Sequence, residues 1–99
     1  MDKELKQFVT DIRKAFTDAE ILLFGSRAKG TSRSDSDYDL IIVSKGFKSI
    51  PFVNRAYHVW IKSNANIAAD LICYSPDEMH TLAKTSTITQ DALKHAVAI

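Results

Sequence analysis

The sequence predicts an α/β domain built on a small sheet flanked by helices. Three observations lead there. Segments with apolar residues at helical spacing alternate with short apolar runs of strand length, and polar stretches separate them. The 99 residues suffice for one hydrophobic core and not two, so residues 1–99 are expected to form a single domain. The composition, 45% hydrophobic and 25% charged, is that of an ordinary globular chain.

In chain order, Leu5, Phe8, Val9, Ile12 and Phe16 recur at spacings of three and four, with lysines and acids between them, and predict an amphipathic helix lying on a sheet. Glu20 to Phe24 (EILLF), stopped by Gly25, reads as a buried strand, and Asp37 to Val43 (DYDLIIV) as a second. Around Ser49 to Ser63, Val53, Ala56, Tyr57, Trp60 and Ile61 return to the helical period, and Pro51 suits a first turn. Ile67 to Tyr74 (IAADLICY) is the third strand candidate. Ser75, Pro76 and Glu78 have the form of a capping box, opening a helix with Met79, Leu82 and Ala83. A last helix is expected from Ser86 or Thr87, carrying Ile88, Ala92 and Val97. No internal repeat or low-complexity tract interrupts this order.

Charge and cysteine usage narrow the function classes. A formal net charge of +1 gives no strong non-specific grip on nucleic acid or on an anionic membrane. Binding must therefore come from a local site. Cys73 is the sole cysteine, which excludes an internal disulfide and fits a reducing cytoplasm; within LICY it reads as a small buried side chain. The start, MDKELKQFV, lacks the apolar region of a signal peptide, and no apolar run approaches a membrane span. A soluble, cytoplasmic protein is expected.

The stretch LFGSRAKGTSRSDSDYDLIIV, from Leu23 to Val43, concentrates the chemistry. Arg27, Lys29 and Arg33 stand directly before Asp35, Asp37 and Asp39. On a strand, residues two apart face the same way, so Asp37 and Asp39 share a face while Tyr38, Leu40 and Ile42 share the other. Two carboxylates this close repel unless a cation lies between them, and hard divalent ions such as Mg²⁺ take such oxygen ligands. The alternative for these acids is a solvated loop ending before the strand. Asp70 stands amid the apolar residues of IAADLICY, where a lone carboxylate is costly to bury. Beside Asp37 and Asp39 it would complete a two-metal arrangement; otherwise it is a partly exposed edge-strand acid.

Gly25 and Ser26 form the other half of the candidate site. Glycine lets the backbone turn and approach a ligand closely. A short helix starting at Ser26 would offer free amides to terminal phosphates, and Gly30 would let the chain turn back. Arg27, Lys29 and Arg33 would add charge around the phosphates, Arg27 or Lys29 foremost, or stay solvated. The P-loop pattern is excluded: Thr31, not lysine, follows Gly30, and the next element reads as a strand.

Gly25-Ser26, ten intervening residues and Asp37-Tyr38-Asp39 together resemble the GS-x10-DxD signature of the DNA polymerase beta-like nucleotidyltransferases. The short length and GSRAKG…SDYDLIIV resemble the minimal nucleotidyltransferase (MNT) group in particular. ADLICYSPDEM is similar to the strand bringing that family's third acidic ligand, and ITQDALKHAVAI to its closing helix. The resemblance implies a mixed sheet, with Gly25 and Ser26 holding the triphosphate of ATP or another NTP. It also implies that Asp37, Asp39 and Asp70 form the metal and catalytic set around two Mg²⁺ ions. Asp70 would help activate an acceptor hydroxyl, which attacks the α-phosphorus and releases pyrophosphate. Lys29 stands where arginine is common in the family, and Ser34 where proline is frequent. His58, His80 and His95 lack ligand spacing and read as structural or surface residues.

So short a chain leaves little room for an acceptor-binding domain. The resemblance implies a partner, since MNT proteins are typically antitoxins paired with a HEPN-domain toxin, in some cases transferring AMP to its tyrosine. A homo- or hetero-oligomer is expected. Two alternatives are an antitoxin that masks its partner without chemistry and a subunit of an aminoglycoside-type nucleotidyltransferase. Phe47, Ile50, Phe52 and Trp60 are candidates for an exposed docking face, with packing beneath the middle helix as the alternative, above all for Trp60.

Overall fold

A computed structural model describes residues 2–25, 28 and 37–99. Helix α1 (Lys3–Ala15) starts at Asp2, whose side chain accepts the Glu4 N–H at 2.8 Å, and buries Leu5, Phe8, Val9 and Ile12 as its spacing predicts. Strand β1 (Glu20–Phe24) has the predicted bounds. Strand β2 (Tyr38–Val43) begins one residue later than expected, after Asp37. A short 3₁₀ turn (Lys45–Ser49) leads to α2 (Phe52–Trp60), then to β3 (Ala69–Tyr74), α3 (Pro76–Thr85), α4 (Thr87–Leu93) and β4 (Val97–Ala98).

The four described strands lie in the order β3-β2-β1-β4. β1 is antiparallel to both neighbours, whereas β2 and β3 run parallel, so the sheet is mixed as expected. A parallel pair needs a crossover, and α2 supplies it between β2 and β3. One sheet face carries Ile21, Tyr38, Leu40, Ile42 and Cys73, all buried with Phe8, Ile12, Phe47 and Val59 in the core. The opposite face carries Phe24, Asp39, Ile41, Asp70 and Tyr74, as their register requires. It meets the last two helices: Tyr74 shares a cavity with Leu82, and Phe24 shares another with Ile88 and Ala92.

Two expectations about apolar residues are corrected. Phe47 is fully buried, its ring 4.9 Å from that of Phe16, so it cannot belong to a docking face. On α2 and at its C-cap, Val53, Tyr57 and Ile61 do not face the core; they are 86%, 66% and 54% exposed. The buried residues there are Arg55 and Val59, with Ala56 and Trp60 half-buried, and Trp60 packs on Phe8 at 5.3 Å. The apolar set on this helix spans two faces, and an arginine occupies the inner one. Pro51 is the N-cap of α2 and not part of its first turn.

The chain's end is corrected too. The capping box forms as predicted: Ser75 Oγ accepts from Glu78 N at 3.3 Å, and Glu78 Oε1 accepts from Ser75 N at 2.7 Å. The following helix, however, stops at Leu93, and Val97 is not helical. Val97 and Ala98 pair with Leu23 and Leu22, and Ile99 N donates to Ile21 O at 2.9 Å. These bonds satisfy backbone groups that β1 would otherwise leave open on that edge, and β-branched valine and isoleucine suit the extended backbone. Arg13 donates to the Ile99 carbonyl and ties this segment to α1.

Candidate active site

Parallel pairing of β2 with β3 sets Asp39 directly beside Asp70. Antiparallel pairing with β1 sets Phe24 on the other flank of Asp39. Residues in register across neighbouring strands share a face, so Phe24, Asp39 and Asp70 form a row across one end of the sheet. Asp37 lies exposed just before β2. Asp39 is half-buried and Asp70 exposed, on an edge strand. Asp70 is thus both the edge-strand acid of the alternative reading and the neighbour of Asp39, and it avoids the cost of burial because no described strand lies outside β3.

The electrostatics single out Asp39. Partial burial pushes its carboxyl above the ordinary carboxylate range, and the charges of Asp70 and Asp37 push the same way. Gly25 follows β1 with φ +72°, a left-handed conformation that glycine adopts without strain. A Cβ built there would collide with Asp39 Oδ2 and stand 3.0 Å from its Cγ. The backbone at Gly25 therefore lies directly against the carboxylate, which only a residue without a side chain allows.

Of the predicted site residues, Gly25, Asp37, Asp39 and Asp70 are brought together at this end of the sheet. Ser26, Arg27, Lys29 and Gly30 lie outside the described residues. Among the described residues, no group of three or more His, Cys, Asp or Glu side chains is arranged to hold a metal ion. The donor chemistry nevertheless fits a hard cation: carboxylate oxygens, mutually repulsive, with no described cation beside Asp39 to offset them.

A second polar centre went unread in the sequence. Arg55, 5% exposed, donates through Nε to Ile50 O at 2.9 Å and through Nη1 to Cys73 O at 3.1 Å. Its Nη1 and Nη2 also meet Glu78 Oε1 at 2.6 Å and Oε2 at 3.3 Å. Arg55 and the Ser75 N–H hold the Glu78 carboxyl well below its usual range, at about 2. Cys73 is buried as expected, and burial pushes its thiol up to about 12, so it is a packing residue and not a nucleophile. The available signal for Arg55 was its place four residues before Val59 on α2, but arginine counts as a surface residue in any apolar pattern.

The profile of the nucleotidyltransferase domain matches residues 3–98. The chain belongs to that family. Its fold is similar to the crystal structure of a candidate nucleotidyltransferase from Sulfolobus solfataricus, with a TM-score of 0.69 and 28% sequence identity. The alignment covers 97% of this chain and 76% of that one. No curated protein matches it. As a member of the nucleotidyltransferase family, the chain places Gly25 and Asp39 in contact at the end of its first two strands. Among the described residues, no helix is long and apolar enough to cross a membrane.

Proposed function

We propose that the chain transfers a nucleoside monophosphate, AMP from ATP, to a hydroxyl group of a partner protein in the cytoplasm. The observation that carries this reading is Asp39 in register with Asp70, on the face that Gly25 leaves open. Residues 1–99 act in it as one domain. Asp37, Asp39 and Asp70 would hold two Mg²⁺ ions, which when bound lower the pKa of the acceptor hydroxyl and neutralise the departing pyrophosphate. Gly25 keeps space open for the phosphates, with Ser26, Arg27, Lys29 and Gly30 as further phosphate contacts. The acceptor oxygen attacks the α-phosphorus as the bond to the pyrophosphate oxygen breaks. Asp70, exposed at the sheet edge, receives the hydroxyl proton.

The partner fits best as a HEPN-domain toxin, with this chain as its antitoxin. An exposed apolar surface supports a docking role: Phe52, Val53, Tyr57 and Ile61 are each more than half exposed on or beside α2. The same surface supports a second reading, in which the chain masks its partner and nucleotide binding is regulatory.

Incubating the chain and its co-expressed partner with ATP and Mg²⁺, then weighing both intact, distinguishes these readings. Transfer predicts a partner heavier by one or more AMP units, absent with Asp37→Asn or Asp39→Asn. An unmodified partner in an intact complex would leave masking as the function. Val53→Ser with Tyr57→Ser should weaken the complex under either reading while the chain stays folded. Unchanged binding would remove α2 from the interface.

A further inference from the structure

Beside the candidate active site lies a cavity of about 220 Å³, lined by Phe24, Gly25, Ile88, Asp91 and Ala92. It occupies the Phe24 end of the row Phe24, Asp39, Asp70, on the side away from Asp70. Two of its walls are unexplained by folding. Ile88 is 83% exposed on α4, so an isoleucine there gains little from folding. Asp91, one helical turn further and on the same side, is exposed, and its only described ion pair is a loose one, 3.9 Å to Lys94 Nζ.

We propose that this cavity receives the base of the nucleotide, and that Asp91 selects bases carrying an amine. The inference rests on nucleotide transfer at Asp39 and names the substrate feature read there. Strands in a sheet lie about 4.8 Å apart. A phosphate beside Asp39 therefore has the cavity about one strand spacing away, the reach of a ribose. The side chain of Phe24 presents an aromatic surface on which a planar base can lie, Ile88 and Ala92 close over it, and such contacts are indifferent to base identity. Discrimination comes from Asp91. An ionised carboxylate only accepts hydrogen bonds, so it favours the amine of adenine over a ring edge without a donor. Among the described residues, the loose pair with Lys94 leaves most of its acceptor sites open.

Equilibrium binding in Mg²⁺ of three probes tests this: ATP, purine riboside triphosphate, which keeps the ring but lacks the amine, and inorganic tripolyphosphate. The native chain should bind ATP about tenfold more tightly than purine riboside triphosphate, the scale of one charge-assisted hydrogen bond. Tripolyphosphate should bind more weakly than either. Asp91→Ala should erase the difference between the two nucleotides and leave purine riboside triphosphate unchanged. Ile88→Ser should weaken both nucleotides several-fold without affecting tripolyphosphate. Both substitutions are at exposed positions, and an unchanged melting temperature confirms the fold. Equal affinity for all three probes would overturn the base site while leaving phosphate binding at Gly25 in place. Failure to bind any of them would overturn nucleotide transfer itself.

Discussion

Two carboxylates, Asp39 near the start of β2 and Glu78 on the helix that follows the far end of β3, are perturbed in opposite directions. Glu78 meets the buried Arg55 and the Ser75 N–H, and its carboxyl falls to about 2. Asp39 meets burial, Asp70 and Asp37, and its carboxyl rises. The first arrangement stabilises the ionised form within the fold. The second destabilises it, and the fold retains that repulsion at the sheet end where Gly25 has no side chain. The contrast separates a structural carboxylate from one arranged for a ligand: Glu78 is already satisfied, whereas Asp39 would be satisfied by a cation.

Breaking the satisfied centre should produce the largest effect on stability. Arg55→Ala removes the partner of Glu78 and the donors to Ile50 O and Cys73 O. Losing one member of a fully buried pair costs about 3–5 kcal/mol. Because the Glu78 side chain is 42% exposed and water screens it, a smaller loss of about 2–3 kcal/mol is expected in urea denaturation. Gly25→Ala attacks the other centre through the backbone. It forces a left-handed φ on alanine and a Cβ against Asp39, at a cost of about 1–2 kcal/mol, and it should weaken nucleotide binding further than stability alone explains. Glu78→Gln keeps the capping geometry but loses the charge, so about 1 kcal/mol is expected from the same measurement.

The two centres should also respond to pH with opposite sign. Because the Glu78 carboxyl is lower in the folded chain, its stabilisation is complete above about 4.5 and is lost as pH falls toward about 2. Asp39 is raised in the folded chain, so its contribution is favourable while it stays protonated and is lost as pH rises through its folded value. Thermal melts across acidic pH should therefore lose part of their low-pH instability in Glu78→Gln, the rest belonging to other lowered carboxylates such as Asp18. In Asp39→Asn they should lose part of the decline seen as pH rises from acid.

Much of the fold and of its acidic row was legible in the sequence, for identifiable reasons. α1, β1 and the capping box of α3 are set by local chemistry, and their predicted forms hold. Asp39 and Asp70 could be paired as candidates because a strand's period of two fixes which residues share a face, and the parallel register then brings them side by side. The inner face of α2 was not legible, since Arg55 is buried only because three partners from other segments receive its donors. Nor was β4: Val97 and Ala98 leave the helical pattern because the edge of β1 needs backbone partners, which is a tertiary requirement. The cavity at Phe24 likewise depends on where α4 comes to rest.

The acids around Asp39 should repel one another until a metal-nucleotide complex binds. Melting temperatures of the native chain and Asp39→Asn, each with and without ATP and Mg²⁺, test this most directly. Without ligand, Asp39→Asn should melt higher than the native chain, because one repelling charge is gone. With ligand, only the native chain should rise, in proportion to the logarithm of ligand concentration over Kd, so that the order reverses. A variant that melts lower than the native chain without ligand, and rises equally with it, would contradict the account.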